Sequence, residues 1–333
     1  MKIQPIKLLI FKIGAIFIAL VVLFLAVEII LKIFGPPYYQ FNNWSAEYYT
    51  NPRGYHVPVR REGDRIVYGL YYRKSKERYR LPDVITESKT DKNDLILGLG
   101  DSFTYGRGVK YNDLYLTLLE SMLNKNGSKI GIKNCARTND DIEDIFDVYR
   151  YESSQKKYPL VIYGFVLNDF GLPRKLIVGS DFVDVNNNRT FNEMRKKSSL
   201  YNLICHIVDE RRLHTVTLNA YLEAFKGENA EKKFGILRKL NQSIKADNSR
   251  LVIVLFPLLY DFKHYPFSGI HQKIAVFCKQ EGIPLLDLLP AFSKYRAEDL
   301  WPNPIDHHPN EIAHRMAAEE LDNFLVKNEL LPK

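Results

Sequence analysis

A serine stands in a glycine-framed turn directly after a short apolar run. The run covers residues 95–99, Gly100 and Asp101 follow it, and Ser102 comes next. A serine at the carboxyl end of a strand is placed where ligands bind in parallel sheets, although serine and glycine are also ordinary turn residues. The position makes Ser102 a candidate nucleophile.

A base and an acid lie close together near the end of the chain, where Asp306 precedes His307 and His308. A serine hydroxyl is a weak nucleophile at neutral pH, so it needs a histidine to take its proton and a carboxylate to orient that histidine. The segment supplies both groups, and either His307 or His308 could be the base. A metal site built from these three residues and His314 is disfavoured, because the spacing lacks an HExxH-like helical arrangement.

Two further apolar runs end in amide side chains. Residues 160–167 are followed by Asn168, whose amide could donate a hydrogen bond to an oxyanion or could belong to a turn-forming Asn-Asp pair. Residues 129–133 lead to a polar turn that contains Asn139, and a helix is predicted after it. The backbone N–H groups at that helix start are expected to point into the same edge of the sheet.

No cofactor motif accompanies these residues. The P-loop pattern is absent, Gly98 and Gly100 lack the third glycine of a dinucleotide fingerprint, and there is no G-x-S-x-G elbow. Three widely spaced cysteines without a CxxC support neither a disulfide framework nor a thiolate zinc site. The sequence therefore predicts no cofactor and no metal.

The elements that must position these residues follow an alternating pattern from residue 94 onward. Short apolar runs predict five strands, at residues 95–99, 129–133, 160–167, 251–256 and 283–286. Amphipathic helical repeats lie between them. Continuous apolar strands separated by such helices are typical of a parallel sheet covered on both faces. The predicted fold class is α/β, a three-layer α/β/α sandwich with a mainly parallel sheet.

Three regions are predicted along the chain. Residues 1–35 form a signal-anchor helix, residues 36–90 a lead-in or stalk with an edge strand at 64–72, and residues 91–333 the α/β domain. An insertion at 171–230 interrupts the alternation. It contains a polar loop at 183–190 and a helical stretch at 200–225, and it is interpreted as a lid near the strand ends.

The N-terminal segment, residues 8–34, is nearly all apolar and carries only Lys12, Glu28 and Lys32 as charges. A retained membrane anchor is favoured over a cleaved signal peptide, because no A-x-A site follows and the apolar pattern continues. Lys2, Lys7 and Lys12 place the N-terminus in the cytoplasm, so the rest of the chain is expected outside it.

Composition describes an ordered globular protein. The chain has 333 residues, of which 46% are hydrophobic and 26% charged, with a net charge of +8. The basic residues are spread along the chain and no nucleic-acid-binding signature accompanies them, so a nucleic-acid partner is not expected.

Together, the polar segments resemble the SGNH, or GDSL, hydrolase superfamily. Residues 100–103 (Gly-Asp-Ser-Phe) match its first block, residues 164–169 resemble its G-x-N-D block with a longer gap, and residues 306–310 are similar to its last block. The resemblance covers residue 95 to about residue 325. It implies a flavodoxin-like three-layer fold and a serine esterase.

The resemblance also implies a role for each motif residue. Ser102 would be the nucleophile, with its own N–H, the Asn139 N–H and the Asn168 amide forming the oxyanion hole, and His308 and Asp306 would complete a triad. Asn139 stands where the family usually has glycine, but asparagine tolerates a left-handed backbone. The family's usual D-x-x-H is shortened here. The D-x-H-P-N variant of membrane-anchored relatives favours His308 over His307 as the base.

The expected activity is removal or transfer of O-acyl groups, with O-acetyl favoured, on an extracytoplasmic glycan. Two alternatives stay open. One is a lysophospholipase or thioesterase at the membrane surface, which the basic clusters at 73–76 and 195–197 would suit. The other is a non-catalytic glycan-binding protein that keeps the fold.

Overall fold

A computed structural model of the chain describes residues 4–34, 48–50, 56–62, 65–68, 75–82, 93–125, 129–171, 194, 197–302 and 306–332. The polar loop predicted at 183–190 lies outside these residues. So do parts of the strand predicted at 64–72 and of the two basic clusters.

Five parallel strands form the central sheet. They are β4 (Asn93–Gly100), β5 (Ile130–Asn134), β6 (Leu160–Phe165), β7 (Arg250–Leu255) and β8 (Leu285–Asp287), in the spatial order β5-β4-β6-β7-β8. All five correspond to predicted strands. β6 is shorter than the apolar run predicts, because the Asp169 carboxylate accepts a hydrogen bond from the Val166 N–H and turns the chain there.

Helices cover both faces of the sheet. The helices of this region are α2 (Ser102–Tyr105), α3 (Tyr115–Leu123), α4 (Ile142–Gln155), α5 (Ser199–Ala224), α6 (Gly227–Ala246), α7 (Ser268–Glu281), α8 (Leu289–Phe292) and α9 (Glu311–Lys327). Successive strand residues point to opposite faces. Leu97 and Val161 pack with α4, α6 and α7, whereas Ile96 and Ile162 pack with α3 and α9. The predicted three-layer α/β/α sandwich is confirmed.

The strand order points to a candidate ligand site beyond the carboxyl ends of two central strands. The chain leaves β4 for β5 on one side and then crosses to β6 on the other, so the direction of winding reverses between β4 and β6. In doubly wound sheets, ligands bind beyond the carboxyl ends of the strands at this reversal. Ser102 follows β4 and Asn168 follows β6, which places both candidates at that point.

The N-terminal segment forms one helix, α1 (Gln4–Phe34), and its residues Leu9–Ile33 are long and apolar enough to cross a membrane. At 1.5 Å per residue, this 25-residue stretch is about 38 Å long, against a hydrocarbon layer of about 30 Å. Most of its large apolar side chains are exposed. A helix that is apolar all round and exposed in water would be unstable, which agrees with either a membrane span or a signal sequence.

The lead-in contains a separate antiparallel sheet of three strands, β1 (Tyr48–Thr50), β2 (His56–Glu62) and β3 (Arg65–Tyr68). β3 is the described part of the predicted edge strand, and it lies at the edge of this small sheet. Residue contacts divide the chain into two compact units. One contains α1 and the first part of α5, up to Thr217, and the other contains both sheets and the remaining helices.

Candidate active site

Ser102 begins the short helix α2 at the end of β4. The Asp101 side chain caps this helix by accepting a hydrogen bond from the Phe103 N–H at 2.9 Å. Aspartate is a preferred N-cap because its carboxylate satisfies an N–H that has no partner within the helix. The cap fixes the direction in which the Ser102 side chain leaves the turn.

Two glycines let α2 lie close to the sheet. Gly100 and Gly164 are paired across β4 and β6, and a Cβ on either would lie within 2.3 Å of the Thr104 Oγ1. Gly100 also has φ of +151°, which L side chains rarely adopt. Gly164 lies several residues before Asn168, and it is needed there so that the turn that carries Ser102 can pack against the sheet.

Ser102, His308 and Asp306 form a continuous hydrogen-bonded chain. The Ser102 Oγ lies 2.9 Å from His308 Nε2, and the opposite ring nitrogen, Nδ1, contacts Asp306 Oδ1. The same carboxylate oxygen accepts the His308 backbone N–H at 3.1 Å. His307 instead points away and stacks on the Trp301 ring, with 4.1 Å between ring centroids. The structure thus places His308, and not His307, between the acid and the hydroxyl.

The Asp306 carboxylate is buried but stays ionised to low pH. Burial alone would raise its pKa, but the charge and hydrogen bonds of His308 and the charge of Arg107 outweigh this and lower the pKa of Asp306 to about 2. The Arg107 Nε lies 3.8 Å from Asp306 Oδ2. A permanently charged partner on Nδ1 keeps Nε2 free to accept a proton from the serine.

The Asn168 amide is held by Asp101. Its Nδ2 donates to Asp101 Oδ2 at 2.8 Å, and the Ser102 Oγ lies 3.3 Å from the same oxygen. Because the Asp101 oxygen accepts this bond, Asp101 fixes which end of the amide is the NH₂ group. One amide hydrogen is used in this bond, and the donation of the second to an oxyanion stays a prediction.

Asp169 holds the turn that presents Asn168. Its Oδ2 accepts from the Tyr163 hydroxyl at 2.8 Å and from the Val166 N–H at 3.0 Å. Burial, together with the nearby charge of Asp101, raises the pKa of Asp169 well above its ordinary range. Burial also raises the pKa of Asp101, and the hydrogen bond from Asn168 opposes that shift. Two carboxyl groups are thus buried behind the nucleophile turn.

Asn139 has a left-handed backbone, with φ of +66°, and it is exposed in the turn between β5 and α4. At the start of α4, two backbone N–H groups already have a hydrogen-bond partner within the chain. The Asp141 side chain accepts from the N–H groups of Glu143 and Asp144, so this capping box occupies them. The participation of the Asn139 N–H in an oxyanion hole stays a prediction.

Arg80, from the lead-in, is a supporting residue that the sequence did not reveal. It is buried, and its guanidinium donates to the carbonyls of Tyr105, Gly106 and Val109 in the loop after α2. The carbonyls of Tyr105 and Gly106 lie at the carboxyl end of α2, where a fixed cation is favourable, and that of Val109 lies in the loop that follows. The lead-in contains several arginines and tyrosines, and nothing in their spacing distinguishes Arg80 from the others.

His314 lies apart from the triad, in α9. It is fully buried, and its Nδ1 accepts the Tyr115 N–H at the start of α3 at 3.2 Å. Among the residues that the structure describes, no group of three or more histidine, cysteine or acidic side chains is arranged to hold a metal ion.

The chain matches no protein-family model and no curated protein. Solved structures of similar fold include "TesA" (13% identity, TM-score 0.47), which covers 69% of this chain and 97% of its own. The esterase EstA from Pseudoalteromonas sp. has 14% identity and a TM-score of 0.46, covering 71% and 99%. An acetyl-xylooligosaccharide esterase from Geobacillus has 12% identity and a TM-score of 0.46, covering 70% and 94%. The chemistry proposed for this chain rests on the geometry of Ser102, His308 and Asp306.

Proposed function

We propose that this protein is a serine ester hydrolase of the SGNH type. The observation that carries the proposal is the hydrogen-bonded chain from Ser102 Oγ through His308 to the buried Asp306 carboxylate. These groups come from opposite ends of the domain sequence and meet at the sheet edge where the winding reverses. A hydroxyl, a base and an orienting acid in this order are the parts that acyl transfer to serine needs.

The reaction would proceed in two halves. His308 Nε2 takes the Ser102 proton as Oγ attacks the ester carbonyl carbon, and the same imidazolium then protonates the leaving alcohol oxygen as the C–O bond breaks. Water, or a sugar hydroxyl in a transferase, attacks the acyl-enzyme with His308 again as the base, which releases the acid or new ester and restores Ser102. General-base assistance of this kind contributes about 10²–10⁴ in rate.

The developing oxyanion would be met by the Ser102 N–H, the second Asn168 amide hydrogen and the Asn139 N–H. Removal of one such donor costs about 3–4 kcal/mol in other acyl-transfer enzymes. Asn168 is the best supported of the three, because Asp101 already fixes its amide orientation. Donors held in place before the reaction need no reorganisation when charge develops.

The proposed substrate is an O-acyl group, with O-acetyl favoured, on a glycan outside the cytoplasm. The flat surface made by exposed His307 stacked on Trp301 directly precedes the base and suits a sugar ring that needs apolar contact and hydrogen-bonding edges. The apolar α1 would tether the protein to the membrane beside such a polymer. The identity of the substrate is a separate proposal from the ester hydrolysis, so it has a separate test.

The esterase proposal is tested on the full-length chain in detergent with p-nitrophenyl acetate and with a fluorophosphonate probe. We expect turnover and covalent labelling, and both should disappear in Ser102→Ala. Ser154→Ala, at an exposed serine on α4, is the matched control and should behave as wild type. Activity that persists in Ser102→Ala would refute the nucleophile, and a wild-type chain that neither turns over nor labels would favour a non-catalytic glycan-binding protein.

Substrate class is tested separately with p-nitrophenyl esters of increasing acyl length and with acetylated oligosaccharides. A glycan O-acetyl esterase should prefer the acetyl ester and release acetate from the sugar. A preference that increases with chain length would instead favour a lysophospholipase or thioesterase. Transfer is distinguished from hydrolysis by the appearance of an acylated sugar when a free acceptor is added.

A further inference from the structure

Glu28 is a buried carboxylate in an otherwise exposed apolar helix. It is 8% exposed, whereas its neighbours Ile29 and Ile30 are 56% and 53% exposed. Within the described part of its own helix, the charged group that contacts Glu28 is Lys32, whose Nζ lies 3.4 Å from Glu28 Oε1. A charged side chain in an apolar membrane segment is costly unless it is paired, so its partners indicate what it is for.

The partners of Glu28 lie at the start of α5, some 170 residues later in the chain. Its carboxylate accepts hydrogen bonds from the Ser198 hydroxyl at 3.0 Å and from the N–H groups of Ser199 and Leu200 at 2.8 and 2.9 Å. The first N–H groups of a helix have no helical partners and attract negative charge. Glu28 therefore caps the first turn of α5 from within the apolar helix.

This cap fixes how deep the start of α5 lies if α1 is retained in the membrane. Glu28 is seven residues from the middle of the Leu9–Ile33 stretch, which is about 11 Å along the helix axis. The hydrocarbon half-thickness is about 15 Å, and a glutamate side chain can reach outward from its own level toward the headgroups. Ser198, Ser199 and Leu200 are consequently held at the boundary between hydrocarbon and headgroups.

The side chains next to the cap suit that boundary. Met194 and Ile204 are 48% and 52% exposed, and Lys197 is exposed and ends a run of three basic residues in the sequence. Single exposed apolar residues are ordinary on a water-facing surface. Here they flank a segment that Glu28 holds at the membrane boundary, and basic residues beside exposed apolar ones are typical of interfacial membrane contacts.

We propose that the first turns of α5, up to Ile204, together with Met194 and Lys197 before them, form a second membrane contact that lies in the headgroup layer of an anionic bilayer. Met194 and Ile204 would reach the upper acyl chains, Lys197 the anionic headgroups, and Glu28 would hold the segment to α1. The insertion would then contact the membrane where α5 begins. The inference rests on the proposed retention of α1 and is independent of the esterase chemistry.

Native Cys205 provides the test, because it neighbours Ile204 and is partly exposed, whereas the other two cysteines are buried. Burial also raises the pKa of the Cys278 thiol to about 12 and that of Cys135 further, which makes both unreactive. The full-length chain is labelled at Cys205 with a polarity-sensitive fluorophore and placed in vesicles of phosphatidylcholine with or without phosphatidylglycerol. We expect a blue-shifted emission and at least roughly twofold stronger quenching by lipid-borne spin labels than by a water-soluble quencher.

Variants separate the cap from the mere presence of the helix. Glu28→Ala removes the acceptor and should move the Cys205 label into water, Glu28→Gln keeps one oxygen and should have a smaller effect, and Glu223→Gln, at an exposed glutamate late in α5, is the matched control. Lys197→Glu should weaken the dependence on phosphatidylglycerol.

Extraction with alkaline carbonate distinguishes the two ways to fail. A chain that is released from the vesicles would refute the retention of α1 and this contact together. A chain that stays integrated while its Cys205 label is quenched mainly from water would overturn the membrane contact and leave the anchor and the esterase proposal intact. A Cys205 signal that does not change in Glu28→Ala would show that the cap does not hold the segment.

Discussion

The two adjacent histidines have different surroundings, and this difference predicts opposite results for two alanine substitutions. His308→Ala removes the group that lies 2.9 Å from the Ser102 hydroxyl, so kcat should fall by about 10²–10⁴. His307→Ala removes a ring that stacks on Trp301 and is not hydrogen-bonded in the Ser102–His308–Asp306 chain, so kcat on a small ester should change by less than about tenfold. Steady-state kinetics with p-nitrophenyl acetate measures both. An inactive His307→Ala with an active His308→Ala would reverse the assignment of the base.

Asp101 is a positioning residue that acts through Asn168, and a double-mutant cycle tests this. Asn168→Ala should lower kcat by about 10²–10³, with little change in KM, because the amide would act on charge that exists only in the transition state. Asp101→Asn should also lower kcat, because it no longer fixes the amide orientation.

The cycle distinguishes positioning from a general loss of structure. If Asp101 acts through the amide, the double variant should be only slightly worse than Asn168→Ala alone. Effects that simply multiply would show that the two side chains work independently. Circular dichroism of each variant checks that the fold is kept.

At the residue scale, the sequence identified the groups that lie in short local motifs and missed those whose role depends on distant partners. Ser102, Asp306 and His308 could be recognised because each has a characteristic neighbourhood. The choice between His307 and His308 needed the ring directions, which two adjacent residues do not reveal. Arg107 beside Asp306 could not be found, because the contact joins segments about 200 positions apart in the chain.

At the element scale, the loop after α2 depends on a cation from another segment. Arg80→Met would remove the hydrogen bonds that the guanidinium donates to the carbonyls of Tyr105, Gly106 and Val109, which should lower the free energy of unfolding by about 2–4 kcal/mol. Thermal or urea unfolding measures the loss, and kcat should fall as the nucleophile turn loosens. Arg78→Met, at a nearby exposed arginine, is the matched control. Equal stability of the two variants would contradict the role of Arg80.

The contact between α9 and α3 predicts a particular response to acid. Burial, with smaller contributions from Arg80 and His308, lowers the pKa of His314 from 6.5 to about 3. Between these values the unfolded chain binds a proton at this site that the folded protein does not. The free energy of unfolding should therefore fall by about 1.4 kcal/mol for each pH unit below 6.5, through this residue, until about pH 3.

Substitution of His314 should remove that dependence. His314→Asn keeps an acceptor near the position of Nδ1 for the Tyr115 N–H but has no proton to bind in this range. Urea unfolding at pH 7 and at pH 5 should show a smaller loss of stability on acidification in the variant than in the wild-type chain. His264→Asn, at an exposed histidine, is the control and should change the dependence less than His314→Asn does. An unchanged slope in His314→Asn would contradict a buried neutral imidazole.

Elements were predictable to the extent that their apolar pattern is continuous. β4, β6 and β7 are buried on both faces and stand out as uninterrupted apolar runs, so the sheet and its layers followed from the sequence. The cap of α4 did not, because the Asp141 carboxylate that satisfies the first N–H groups is one of several acidic residues in that turn. The N–H groups of a helix start are open to a ligand only when no side chain caps them, and this depends on rotamers.

At the scale of the whole molecule, the contact least visible in the sequence is the one between Glu28 and the start of α5. Nothing in either segment marks the other as its partner, because helix caps carry a signal only when the capping residue directly precedes the helix. In the sequence Glu28 therefore stands only as a charge near the end of an apolar run. In the structure, its carboxylate joins the N-terminal helix to a segment some 170 residues away.

The N-terminal charges predict the orientation of the whole chain in a membrane. Lys2, Lys7 and Lys12 precede or enter the apolar stretch, whereas Glu28 and Lys32 nearly cancel at its other end. The positive-inside rule then predicts that the N-terminus lies in the cytoplasm and the α/β domain outside it. In intact cells that express the chain with a C-terminal tag, added protease should remove the tag, and the membrane-bound protein should keep its original N-terminus by mass spectrometry. Changing Lys2 and Lys7 to glutamate should reduce the protease-accessible fraction, whereas changing Lys327 and Lys333 should not.

A tag that is protected until the cells are opened would refute this orientation, and a mature N-terminus within or beyond the apolar stretch would show that it is a cleaved signal peptide.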